Sequence, residues 1–292
     1  MKEKNSVKTV DTAALYGASI LILLAAFWAA GVCAVFDYFK QNKNQTTAEE
    51  SYTEEIVYEV ALPENTTEIK IGQEEEVSFE EAVDFPPTKL IDVPYINQKK
   101  NYPTGCEAVS AVMALRHSGY KISGKYFITH FLSVAPAPFT DEEGRSMGYD
   151  PREYFLGNPF SKEGWGCMAP VIEKALIKCI DHSRHEVNNI TGTPLKELKS
   201  YIDRDIPVIM WGTQGMAPAH VSRTWEIVGT EDTYTWISPN HCLLLVGYDD
   251  TGYYFNDPLT HKNCRYPADI VQNRYTLTGM QAITVESIAE AP

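Results

Sequence analysis

From Ala13 to Phe36 no side chain carries a charge, and the run ALYGASILILLAAFWAAGVCAVF is apolar almost throughout. A helix needs about twenty such residues to cross the hydrocarbon core of a bilayer, where every backbone N–H and C=O must be satisfied within the segment. Residues 13–36 are therefore expected to form a transmembrane helix. A cleaved secretory signal is the other use of such a run, but this one is longer than a usual signal core and no A-x-A site ends it. Val32 stands before Cys33, where a lipid-modified cysteine would follow a small residue. Lys2, Lys4 and Lys8 precede the run, whereas acid takes over soon after Asp37, Lys40 and Lys43. The positive-inside rule then favours residues 1–12 in the cytoplasm and the remainder outside the cell.

The acid follows at once. Between residues 37 and 87 the chain runs through Glu49, Glu50, Glu54, Glu55, Glu74, Glu75, Glu76, Glu80, Glu81 and Asp84, and beyond Lys43 only Lys70 opposes them. Like charges at that density repel one another and keep a segment extended, so residues 37–87 are expected to be a stalk. With a formal charge of -14 and no stripe of Lys and Arg interleaved with aromatics, the chain is not expected to bind nucleic acid.

After Phe85-Pro86-Pro87 the composition becomes that of a globular domain, expected over residues 88–286 with a short tail at 287–292. Pro170 opens a helical pattern through Val171, Ile172, Ala175, Leu176 and Cys179, and Thr193-Pro194 opens another through Leu195, Leu198 and Ile202. The β-rich runs, Ile206 to Trp211, His241 to Tyr248 and Tyr253 to Phe255, come later and are bounded by Gly, Pro, Asp or Asn. Helices first and strands afterwards is an α+β order.

Beyond Cys33, the cysteines at 106, 167, 179, 242 and 264 contain no C-x-x-C pair, so the common zinc arrangements are not expected and neither is any other cofactor. A Cys167–Cys179 disulfide stays open at this level. Cys106 has a distinctive setting. Thr104-Gly105-Cys106-Glu107 precedes an apolar helical run, Ala108 to Leu115, with Gly119 where that helix should stop. Thr-x-x-Glu reads as a capping box, with Thr104 as N-cap and Glu107 at N3. Cys106 then lies in the first turn, where free N–H groups and the helix dipole should lower its pKa. On that evidence alone a structural cysteine is the commoner case. Gln98, a short loop upstream, is placed to supply a side-chain N–H alongside the Cys106 backbone N–H as an oxyanion hole.

A nucleophilic cysteine needs an imidazole beside it and a third group to fix that imidazole's tautomer. His241 opens the strand His241-Cys242-Leu243-Leu244-Leu245-Val246-Gly247-Tyr248; a turn at Asp249-Asp250-Thr251-Gly252 leads back through Tyr253 to Asp257. An antiparallel return brings Asp257 toward His241, directly opposite if the loop is odd in length and centred near Asp249. His220, in the loop from Met216, is the rival and is expected either to line a cleft or to be exposed. His117, His130, His182, His185 and His261 read as helical or loop residues.

The strings VPYINQ…YPTGCEAVSAVMAL, GNPFSKEGWGCMAPVI, IPVIMWGT and HCLLLVGYDDTGYYFNDP resemble those of the C-39-like peptidases, bacterial relatives of the double-glycine leader peptidases that process bacteriocin precursors. The resemblance covers roughly residues 90–281. It implies a papain-like α+β fold in which a buried helix carries the nucleophile and packs on an antiparallel sheet. It also implies Cys106, His241 and Asp257 as the catalytic set and Gln98 in the oxyanion hole. The C-G-S-C-W signature of papains is absent, and there is no P-loop of the kind fused to leader peptidases, so cleavage after Gly-Gly is not implied. The block at residues 144–168 reads equally as a cleft wall or as a packed loop. The expectation is a membrane-anchored cysteine peptidase with a peptide or protein substrate. Its rivals are an amidase, transpeptidase or acyltransferase on cell-wall peptides, and a non-catalytic binding module.

Overall fold

Strand β10, Asn240–Tyr248, is the axis of the molecule in this computed structural model, which describes residues 87–288. The expected span at 13–36 and all but the last residue of the expected stalk lie outside the described residues; among those described, no helix is long and apolar enough to cross a membrane.

The helices are α1 (Cys106–His117), α2 (Gly124–Phe131), α3 (Ala169–Cys179), α4 (Lys199–Asp203) and α5 (Ala268–Leu277). The strands are β1 (Lys89–Leu90), β2 (Val134–Ala135), β3 (Phe139–Thr140), β4 (Ser146–Gly148), β5 (Phe155–Leu156), β6 (His185–Asn189), β7 (Val208–Thr213), β8 (His220–Ile227), β9 (Thr233–Ser238), β10, β11 (Gly252–Asn256), β12 (Cys264–Pro267) and β13 (Ala282–Ser287). This is a mixed helix and sheet fold. The main sheet has the order β12-β11-β10-β7-β13-β6, with β1 also pairing β10, and every pairing in it is antiparallel.

The central strands read as unbroken apolar runs because both of their faces are covered. Every residue of β7 and every residue of β10 except its two ends is buried. Helix α1 packs across β10, β7 and β13 and is buried from Cys106 through Leu115. Its exit is set by Gly119, whose φ of 87° is left-handed backbone that a side chain would strain. The expected helix after Pro194 is a 3-10 turn over Leu195–Leu198 that runs into α4, burying Leu195, Leu198 and Ile202 as the spacing requires. Helix α5 breaks the helices-first order. Only Val271 and Tyr275 are buried in it, so it carries too little apolar signal to stand out.

A second sheet, β3-β4-β8-β9, stands apart from the first in pairing. It carries Trp225, Tyr234 and Trp236, and Trp165 from the loop before α3 meets Trp225 and Trp236 edge-on at centroid distances of 5.8 and 5.6 Å. Within residues 144–168, Trp165 is thus packed into an aromatic cluster, and Gly166 lies between Trp236 of that cluster and Glu107 of α1.

Candidate active site

The first turn of α1 differs from its expected form. The N-cap is Gly105 and no side chain caps it. Thr104 Oγ1 donates instead to the carbonyls of Asn158 and Ser161, at 3.3 and 3.0 Å. Glu107 turns inward: its Oε1 accepts the Cys167 N–H at 2.9 Å and its Oε2 accepts the Cys106 thiol at 3.3 Å. The capping box fails because the loop at 157–168 takes both of its side chains. The fit is close, since a Cβ on Gly164 would strike Thr104 Oγ1 and one on Gly166, at φ +133°, would strike Glu107 Oε1. Glu107 is 1% exposed, and burial pushes its carboxyl up to about 7, against the Cys167 and Glu107 backbone N–H groups and the Cys106 thiol, which favour its charge.

The same burial reverses the expectation for Cys106. Its thiol is pushed well above the ordinary value, first by burial, then by the nearby Glu107 carboxyl, and a backbone hydrogen bond at Cys242 only partly offsets them. The helix dipole is outweighed because the sulfur points into the core beside a carboxyl group, not toward solvent. Cys106 is 7% exposed.

His241 and Asp257 meet. His241 Nε2 lies 2.7 Å from Asp257 Oδ1, and both side chains are fully buried. They are not a directly opposed cross-strand pair, however. The β10–β11 register sets Leu244 against Asn256 and shifts between Leu245 and Gly247, so Asp257, one residue beyond β11, falls level with Leu243. Without the bulge the register of Gly247 with Tyr254 would set Asp257 level with Leu244, so the bulge brings the acid one residue nearer His241, and the side chains bridge the remaining offset. Leu259 N–H donates to Oδ1 at 2.8 Å and the Tyr266 hydroxyl to Oδ2 at 3.2 Å. Burial works to raise the Asp257 carboxyl, but His241, Leu259 and Thr260 outweigh it and hold the group below its ordinary value. An ionised Asp257 can only accept, so the imidazole donates to it from Nε2–H. Nδ1 is buried and has no hydrogen-bond partner.

The Cys106 sulfur rests against the strand that carries that imidazole but makes no hydrogen bond to the ring. Cys106 touches β10 at Cys242, next in sequence to His241, and neighbouring strand residues point to opposite faces. Ser110 Oγ, one turn further along α1, donates to the Cys242 carbonyl at 3.2 Å and fixes the helix against the strand.

Gln98 joins the two halves. It is 1% exposed; its backbone N–H donates to the Pro258 carbonyl at 3.0 Å, next to Asp257, and its side-chain Nε2 donates to the Pro103 carbonyl at 2.9 Å, just upstream of Cys106. One amide N–H is thereby used, and a second remains. His220 is exposed at the start of β8, away from this cluster in pairing, with Ser238 opposite. His185 departs from the loop expected for it: it is buried and opens β6, where its Nδ1 meets the Tyr120 hydroxyl at 2.9 Å. All five described cysteines are free, so no Cys167–Cys179 disulfide forms. Among the described residues no group of three or more His, Cys, Asp or Glu side chains is placed to hold a metal ion.

Sequence reasoning missed Glu107 as part of the site and missed Tyr266. An acid at the first turn of an otherwise apolar, buried helix is a signal for the former, because a carboxyl in that position must find partners or neutralise. A cavity of about 400 Å³, lined by Met168, Tyr234, Ile237, Asn240 and Gln281 among others, opens beside Asn240, the residue before His241, and beside Met168, the residue after Cys167.

The chain is 27% identical over 203 residues to the uncharacterized protein YvpB of Bacillus subtilis (strain 168), a match covering 68% of this chain and 76% of that protein. In fold it is similar to a Bacillus anthracis crystal structure assigned to the C39-like peptidases, with a TM-score of 0.58 and 24% identity over 70% of this chain and 99% of that one. Residues 90–283, which contain Gln98, Cys106, His241 and Asp257, match the Peptidase_C39 like family, and the chain belongs to that family.

Proposed function

We propose that the chain is a cysteine peptidase of papain-like architecture, anchored in the membrane by residues 13–36 with its head held outside the cell on the acidic stalk. What supports the reading above all is the His241–Asp257 hydrogen bond, which leaves Nδ1 unpaired at the strand against which Cys106 rests.

The chemistry follows from the groups present. The Cys106 thiol swings to His241 and passes its proton to Nδ1, giving thiolate and imidazolium. The thiolate adds to the peptide carbonyl, and the oxyanion takes hydrogen bonds from the Cys106 backbone N–H, free of an intrahelical acceptor in the first turn, and from the second Gln98 N–H. Collapse expels the amine, which receives the proton from Nδ1. Water, deprotonated by the same nitrogen, then frees the acid from the thioester. Asp257 holds the ring in the tautomer this requires and takes no proton itself. The cavity beside Asn240 and Met168 is sized for a substrate side chain.

The test is a peptide carrying a thiol-directed electrophile, applied to the full chain in detergent. Wild type should carry one adduct, on Cys106, and Cys106→Ala should carry none. Undiminished labelling of Cys106→Ala would assign the chemistry to another thiol. Hydrolysis of ordinary peptides, against turnover only on peptidoglycan fragments or with amine acceptors, separates the peptidase from an amidase or transpeptidase.

A further inference from the structure

The cysteine peptidase mechanism has no use for Glu107, yet this buried acid is the one side chain to which the Cys106 sulfur donates. A solvent-facing first turn would accept almost any polar residue there, whereas here the surroundings are shaped to the carboxyl group. Gly166 leaves room for Oε1, the Cys167 N–H meets that same oxygen, and the thiol meets Oε2. The other ionisable groups around it are the thiols of Cys167, from the segment before α3, and Cys242, from β10; burial pushes both well above their ordinary values, so they stay neutral. Beyond Cys242 on β10 lies the His241–Asp257 pair. Among the described residues no Lys or Arg is paired with Glu107 to hold its charge in place.

We propose that Glu107 is a positioning residue that governs when Cys106 can act: its carboxylate holds the thiol in the core, turned from His241, and loss of its charge releases the sulfur to the imidazole. The inference rests on the peptidase reading. In the resting form the S–H donates to Oε2. When Glu107 takes a proton from solvent, Oε2 becomes a poorer acceptor and no longer repels a thiolate. The thiol then rotates to Nδ1, the S–H proton moves to that nitrogen, and the thiolate–imidazolium pair forms with a neutral acid beside it. An ordinary thiol becomes more reactive as pH rises, because its thiolate fraction grows. Cys106 should run the other way through neutrality, gaining reactivity as pH falls and Glu107, poised near 7, is protonated.

Glu107→Gln separates charge from shape, since the amide oxygen still accepts the Cys167 N–H. Alkylation of Cys106 by iodoacetamide is followed from pH 5 to 9 by mass mapping in the full-length chain. Wild type should alkylate faster at pH 6 than at pH 8. Glu107→Gln should remove that decline and exceed wild type about tenfold at pH 8, the size of a one-unit shift in the thiol, with the two converging below pH 6. A merely structural role for Glu107 would change the amplitude or the fold and leave the direction of the pH profile as it is in wild type. If Glu107→Gln fails to fold, the wild-type profile decides: a rate that climbs steadily with pH like a free thiol overturns the proposal. Cys106→Ala keeps the two ideas apart. Peptide-electrophile labelling that survives it sinks the peptidase reading, whereas labelling abolished by it, with identical pH profiles for wild type and Glu107→Gln, sinks only the role of Glu107.

Discussion

The two halves of the site are in different states. On the β10–β11 side, His241 is locked to Asp257, and Asp257 in turn receives Leu259 and Tyr266, so every oxygen of the acid is engaged and the imidazole has one available orientation. On the α1 side, the sulfur is engaged too, but with Glu107 in place of the base. On the proposed peptidase reading, one half is ready for chemistry and the other is parked. The difference teaches that the fold orients the imidazole through Asp257 independently of the sulfur; on the proposed reading, what remains is for the Cys106 side chain to leave Glu107 for His241.

The sharpest break in that comparison is His241→Ala. Removing the general base should lower kcat/KM for a peptide ester by about 10³-fold or more while leaving the Cys106–Glu107 contact intact. A loss under tenfold would mean the ready half is not the catalytic one.

The halves should also answer pH with opposite sign. Asp257 has a folded value below its ordinary one, so its stabilisation is present above the unfolded carboxylate range and is lost as pH falls through the folded value. Glu107 has a folded value raised from 4.5 to about 7, so the folded state is favoured below 4.5 and loses stability as pH climbs from there to about 7. Glu107→Gln should therefore gain up to about 3 kcal/mol over wild type at pH 8 relative to pH 4, measured by urea unfolding at both pH values. Equal differences at the two pH values would show that Glu107 pays no penalty for its charge.

Asp257→Ala should cost roughly 10²-fold in kcat/KM, with the ring freed to adopt the other tautomer. The smallest effect belongs to Tyr266→Phe. It removes one hydrogen bond to Asp257 Oδ2, worth about 1 kcal/mol, so kcat/KM should fall by about fivefold with little change in KM. A change in KM alone would move Tyr266 from orienting the acid to contacting substrate.

What the sequence discloses follows the physics of each segment. The apolar run after Cys106 and the runs at β7, β10 and β11 are legible because helices and strands buried on all sides have no need of polar residues. His241 and Asp257 are legible as a pair because a strand, a turn of Asp and Gly and a return strand leave little freedom in where the chain comes back. The register between them is hidden, since the bulge at Leu245 and Gly247 leaves no mark in composition. The capping box is misread for a related reason: Thr104 and Glu107 have the right spacing for each other, and only the approach of the loop carrying Ser161 and Cys167 diverts them. The small sheet, β3-β4-β8-β9, escapes notice because two of its strands are two and three residues long and β4 pairs β8 in parallel, with Met147 opposite the distant Glu226. Helix α5 escapes because its buried face is only two residues wide.

The claim on which all of this turns is that Cys106 forms a covalent acyl intermediate. Acid quenching of the full-length chain during turnover of a peptide ester, followed by mass mapping, tests it directly. The account predicts the acyl group on Cys106 and its absence in His241→Ala. Product released with no acyl group on Cys106, or an acyl group on Cys167, Cys242 or Cys264 instead, would contradict it.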